Sequence, residues 1–247
     1  MKSTTVILGL LPRASWRGAL ALLLLGAGVT GASAQYLYLD ATSGVSGNTT
    51  LADGSLFSPP LNGTTGADQN WEQRTVLGSS GNIFESGGEN VTENAPELRT
   101  LITGLTPGAA YSVYINFWDP TSNVEDWSVR GGFASNPGAN TLFSAADATG
   151  DLTSTAAILA STLTYSTAPT IFAESGRALL AGLLGTTTAN GAGEIAVFVD
   201  DLPTSLNVNR RTWYDGVSVA IVPEPSSLAL AALGLAGLAL RRRGAKA

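Results

Sequence analysis

Residues 98–118, LRTLITGLTPGAAYSVYINFW, constrain the fold more tightly than any other part of this chain. Two runs rich in β-branched and aromatic residues flank Gly104-Leu105-Thr106-Pro107-Gly108, where proline presets a turn angle and glycine supplies a positive one. In the second run Tyr111, Val113, Ile115 and Phe117 share one face of an extended strand, and Tyr114 and Trp118 share the other. Both faces are largely apolar, which predicts a central strand in a sandwich of two sheets.

The same texture of short apolar runs broken by Gly, Pro, Asn and Asp continues on both sides. Tyr36–Asp40 predicts a first strand, residues 41–70 a long loop with one short pairing, and Trp71–Leu77 and Asn82–Glu85 two further strands. Arg177–Thr188 and Glu194–Asp201 predict strands joined by Asn190-Gly191-Ala192-Gly193 as a hairpin, and Arg211–Val222 predicts the closing strand. Ser154–Leu163, rich in alanine, is the one stretch with a helical alternative. The expected fold class is all-β, a single β-sandwich over residues 35–221.

Leu105-x-Pro107-Gly108-x-x-Tyr111 resembles the corner of fibronectin type III and immunoglobulin-like sandwiches, in which a tyrosine hydroxyl ties back to the preceding turn. Val197-Phe198-Val199-Asp200-Asp201 followed by Trp213-Tyr214-Asp215-Gly216-Val217 as the last strand resembles bacterial extracellular jelly rolls of the galactose-binding type. Both resemblances imply the architecture and leave the function open.

Cysteine and histidine are both absent. Disulfides, thiolate or imidazole metal sites, and Ser-His-Asp or Cys-His catalysis are therefore excluded. Between Gln35 and Val222 stand six arginines, no lysine and eighteen acids, a formal charge of −12 against −6 for the whole chain. So acidic a segment repels phosphate backbones, and nucleic acid is excluded as a partner.

Carboxylates are the only catalytic apparatus left, since glycoside hydrolysis needs just two. Glu72, Glu125, Asp126, Glu174, Asp200, Asp201 and Asp215 qualify by type, but no motif surrounds any of them, so no catalytic residue is assigned and the expectation is a non-enzyme. Asp40 on the first strand, with Asp200, Asp201 and Asp215 on the last ones, forms a candidate structural calcium set if those strands are neighbours. Trp127, Trp71 and Tyr214 are candidates to stack on sugar rings, with Trp127 placed beside a loop; Trp118 and Trp213 read as core residues.

The two ends carry the most specific signals. Met1–Ala34 has Lys2, Arg13 and Arg17, an apolar stretch from Ala19 to Val29, and Ala32-Ser33-Ala34, a secretory signal peptide predicted to be cut between Ala34 and Gln35. The Sec translocon and signal peptidase follow as partners. At the other end Pro223 and Pro225 bracket Glu224 in an extended linker. Leu228–Leu240 then runs apolar for thirteen residues, about 20 Å as a helix against a hydrocarbon core of about 30 Å. Arg241, Arg242, Arg243 and Lys246 follow and favour the cytoplasmic side.

Residues 222–247 resemble the PEP-CTERM sorting signal of Gram-negative bacteria, with Val222, Pro223, Glu224, Pro225 and Ser226 as its motif, the apolar helix 228–240 and the basic end. The resemblance implies recognition by an exosortase, a membrane cysteine transpeptidase, after a transient inner-membrane stage. Removal of the tail would deliver the domain to the cell envelope or an exopolysaccharide matrix. The expected role is structural or adhesive in such a matrix or biofilm; a carbohydrate-binding module is the main alternative, and a carboxylate-based glycoside hydrolase a lesser one.

Overall fold

The computed structural model describes residues 34–59, 69–75, 78, 82–87, 94–119, 126–136, 140–144, 155–201 and 210–223. The strands, in chain order, are β1 (Tyr36–Asp40), β2 (Thr49–Leu51), β3 (Glu72–Arg74), β4 (Ile83–Ser86), β5 (Leu98–Ile102), β6 (Ala110–Trp118), β7 (Asp126–Gly132) and β8 (Thr141–Ser144). They continue with β9 (Thr155–Ala156), β10 (Ile158–Leu159), β11 (Tyr165–Thr167), β12 (Ala173–Glu174), β13 (Arg177–Thr188), β14 (Ile195–Asp200) and β15 (Arg210–Ile221). Ser154–Leu163 forms no α-helix over its described residues: β9 and β10 are followed by a 3-10 turn at Ala160–Thr162.

Eight of these strands form the body. One sheet runs β1, β15, β6, β13, and the other β5, β14, β7, β8, every neighbour antiparallel. Apart from the β7–β8 hairpin, each step along this set passes from one sheet to the other. Eight strands wound in this way make a jelly roll. A parallel bridge, Arg210↔Asp126 and Arg211↔Trp127, links the sheets at one corner.

The winding explains why the two glycine-rich turns behave differently from hairpins. β5 and β6 lie in different sheets, as do β13 and β14, so residues 104–108 and 190–193 are corners between layers. The hairpin expected at Asn190–Gly193 is therefore not formed. Instead the corners dock on each other: Leu105 N donates to Gly193 O and Gly108 N to Ala189 O, both at 3.0 Å. Gly193 has a φ of +74°, and a side chain there would run into Leu105 O, so the close approach requires glycine. The Thr106 N–H donates to the Tyr111 hydroxyl at 2.9 Å, the corner contact its sequence resembles.

Tyr111, Val113, Ile115 and Phe117 point inward as the alternation requires, meeting Leu98, Ile102, Val129, Phe143, Val197 and Val199 from the second sheet. The ring of Phe143 rests against Gly182, where an added Cβ would come within 2.6 Å. The outer face of β6 is covered as well. Residues 157–174 strap across it, pairing briefly with β13 through β10 and β12 and with β1 through β11. Trp118, Leu179, Ala181 and Trp213 pack beneath the strap with Ala160, Leu163, Ile171 and Phe172, forming a second apolar layer.

Candidate functional site

The last core strand hands the chain directly to its C-terminal segment. Val217 and Val219 of β15 are buried in the main core. Ile221 pairs with Tyr111, Val222 N donates to Ala110 O at 2.8 Å, and Pro223 is exposed. Proline carries no N–H, so the ladder ends there. At the other terminus Ala34 is half-buried and Gln35 exposed, and β1 begins at Tyr36. The register Leu37↔Val219 runs Gln35 toward Ile221, so the predicted signal-peptidase cut and the chain exit share one end of the sandwich. Glu224, Pro225, Ser226, the apolar run 228–240 and Arg241, Arg242 and Arg243 lie outside the described residues, as does Met1–Ser33.

The four acids of the calcium set fall into two pairs. Asp40 and Asp215 meet through one hydroxyl: Tyr38 Oη lies 3.0 Å from Asp40 Oδ1 and 2.9 Å from Asp215 Oδ2. Asp215 is the extra residue of a bulge in β15, between positions paired with Phe117 and Asn116. Asp200 ends β14 in the other sheet, and Asp201 follows it. Asp201 Oδ2 accepts from Ser86 Oγ at 2.5 Å and from Ala95 N at 3.0 Å. Burial, the neighbouring Asp201 and Glu97 push the Asp200 carboxyl up to about 7, against the pull of Arg130. Among the described residues no three acidic side chains gather to hold a metal ion.

The other carboxylates are built into the fold. Glu85 is fully buried and ion-paired to Arg74 and, at 2.8 Å, to Arg211. Glu72 lies opposite Glu85 in register and is buried too. Glu97 accepts from Ser135 Oγ and Asn140 Nδ2. Glu174 is half-buried on β12, and Glu125 lies outside the described residues.

The proposed sugar platform is corrected by burial. Trp127, Trp71 and Tyr214 are 1%, 0% and 0% exposed, so none offers a ring face to a ligand in solution. Trp71 Nε1 donates to Pro96 O at 2.8 Å, and the Tyr214 hydroxyl meets Thr100 Oγ1 at 2.7 Å. Trp127 belongs to β7, stacks 4.3 Å from Trp213, and has the Arg177 guanidinium 5.0 Å above it. Trp118 and Trp213 are core residues, as expected. An open groove of about 350 Å³ lies instead beside the β7–β8 hairpin, between Gly132, Phe133, Asn136, Asn140 and Leu184, with no carboxylate in its walls.

Against this geometry the family model of the PEP-CTERM protein-sorting motif matches residues 222–243. The chain carries a PEP-CTERM sorting signal. The match begins at Val222, the last of the described residues tied to the sheet by a backbone hydrogen bond. Export to the envelope and exosortase-type processing follow from it. No curated protein matches the chain. Among solved structures, a GH26-CBM35 β-(1,4)-mannanase of Podospora anserina matches at 11% identity and a TM-score of 0.34. That match spans 78% of this chain and 29% of the mannanase chain.

The sorting signal was legible from its ordered parts; three clusters were not. Glu85 with Arg74 and Arg211, Glu97 with Ser135 and Asn140, and Arg177 over Trp127 and Trp213 each join residues far apart in the chain. The one available hint was Trp118 on the outward face of β6, which announces a second layer.

Proposed function

We propose that the jelly roll is a non-catalytic building block of the cell envelope or of an extracellular polysaccharide matrix, delivered through its PEP-CTERM signal. In this reading the tail holds the chain at the inner membrane for a time, and removal of the tail releases a complete sandwich. The observation that carries it is the hand-over at Val222: every strand of the described residues ends before the motif, so cleavage beyond it breaks none of their ladders. The commitment of Glu85, Glu97 and Asp201 to internal ion pairs and hydrogen bonds supports a structural role for these carboxylates.

Mass spectrometry of the protein isolated from its native host tests this. A mature chain starting at Gln35 and ending near Pro225 is expected. An intact terminus still bearing Arg243 would overturn the processing step. Release of reducing sugar from a polysaccharide, abolished by one carboxylate-to-amide change, would overturn the non-catalytic role.

A further inference from the structure

The open groove of about 350 Å³ beside the β7–β8 hairpin takes its walls from both sheets: Phe133, Asn136, Asn140 and Thr141 on one side, Leu184 of β13 on the other. That volume lies at the lower end of the about 300–1,000 Å³ typical of small-ligand sites. Gly131 and Gly132 line it without side chains, because neighbours take the space a Cβ would need. A Cβ on Gly131 would come within 2.9 Å of Leu184 Cδ2, and one on Gly132 would run into Asn140 Oδ1. The lip is held in place. Asn140 N donates to Asn136 O at 3.1 Å, and the buried Glu97 accepts from Asn140 Nδ2 at 3.1 Å and from Ser135 Oγ.

The chemistry of the walls selects the occupant. Phe133 and Leu184 are half-buried, packed against the main core and open to the groove. Asn136 and Thr141 are exposed, and neither side chain is hydrogen-bonded to another described residue. An amide and a hydroxyl each donate and accept, as the hydroxyl groups of a sugar require, and an aromatic face covers the apolar face of a sugar ring. No charged side chain lines the groove, and the Glu97 carboxylate stands directly behind Asn140, so an acidic ligand meets like charge there. An extended peptide needs a free strand edge. Gly131 is already paired with Val199 on one side and Thr141 on the other, and β13 shifts register between Leu183 and Gly185, so the described residues of the groove offer no regular edge.

We propose that this groove binds a neutral sugar chain, with Phe133 against a ring face and Asn136 and Thr141 bonded to its hydroxyl groups. The site shares no residue with the buried Trp127, Trp71 and Tyr214. It goes beyond the building-block reading and is drawn from the groove alone: processed ends without sugar binding, or sugar binding without processed ends, would separate the two.

The test titrates the purified full-length protein, by calorimetry, with cellohexaose, maltohexaose, hexagalacturonate and an uncharged threonine–glycine hexapeptide. At least one of the two neutral sugars is expected to bind saturably, and hexagalacturonate and the peptide to give no saturable heat at the same concentration. Asn136→Ala, at an exposed position, is expected to weaken the sugar about fivefold, the loss of one neutral hydrogen bond. Phe133→Leu, which keeps an apolar contact with the core and removes the flat ring, is expected to weaken it by a similar factor. Thermal unfolding shows whether each variant folds, and if Phe133→Leu does not, Asn136→Ala decides. No saturation with either neutral sugar, equal or tighter binding of hexagalacturonate, binding of the peptide in place of the sugars, or unchanged affinity in the folded variants would overturn the proposal.

Discussion

Asp200 ends β14 with 3% of its surface exposed, and burial is the largest influence on its carboxyl, followed by Asp201 and Glu97. Its folded pKa of about 7 stands above the ordinary 3.8, so the fold favours the protonated acid. That contribution is complete below about pH 4 and is lost as the pH rises through 7. Asp200→Asn keeps the neutral shape at all pH values and is expected to be more stable than the native chain at pH 8, with the advantage shrinking toward pH 5. Thermal unfolding at the two pH values reads this, and an equal effect at both would exclude the titration. Glu85 presents the opposite case, a buried charge held by Arg74 and Arg211. Removing one partner of such a cluster leaves the rest uncompensated, so Glu85→Gln is expected to lower stability by about 3 kcal/mol in urea unfolding.

At the scale of elements, the corner between β5 and β6 rests on one side-chain acceptor. Tyr111→Phe keeps the buried ring and removes the oxygen that receives the Thr106 N–H, which is expected to cost about 1 kcal/mol. For a domain of this size that is a fall of roughly 2–4 °C in melting temperature, measurable by circular dichroism. The corner was legible because all its parts lie within seven residues, and the central position of β6 because apolar side chains alternate on both faces. The identity of each strand's neighbours was not local information. Asn190-Gly191-Ala192-Gly193 has the composition of a hairpin, and only the winding of the sheets makes it a corner. For the same reason Asp40 meets Asp215, β1 being the neighbour of β15, while Asp200 and Asp201 fall in the other sheet. Trp127 looked open because the strap that encloses its layer is made of two- and three-residue ladders with no alternation to read.

For the whole molecule, the two basic ends and the sandwich differ sharply in charge. Seven of the thirteen cationic residues lie in Met1–Ala34 and after Pro225, which is why the segment between carries −13 and the whole chain −6. The ends hold the charge asymmetry that orients a chain at a membrane. The sandwich keeps its hydrogen-bonded strands between Tyr36 and Val222, with β15 wedged between β1 and β6. A chain running from Gln35 to Pro223 is therefore expected to unfold in one cooperative transition, within about 3 °C of a chain extended to Ser227, because the added residues contribute less than about 1 kcal/mol. A chain stopped after Val217 loses Val219 from the core and the ladders from Ser218 to Ile221 with β1 and β6. It is expected to show no cooperative transition at all. Thermal melts of the three chains decide the matter: a large stability difference between the ends at Pro223 and Ser227 would mean that the sorting segment is part of the fold, and could not be removed without loss.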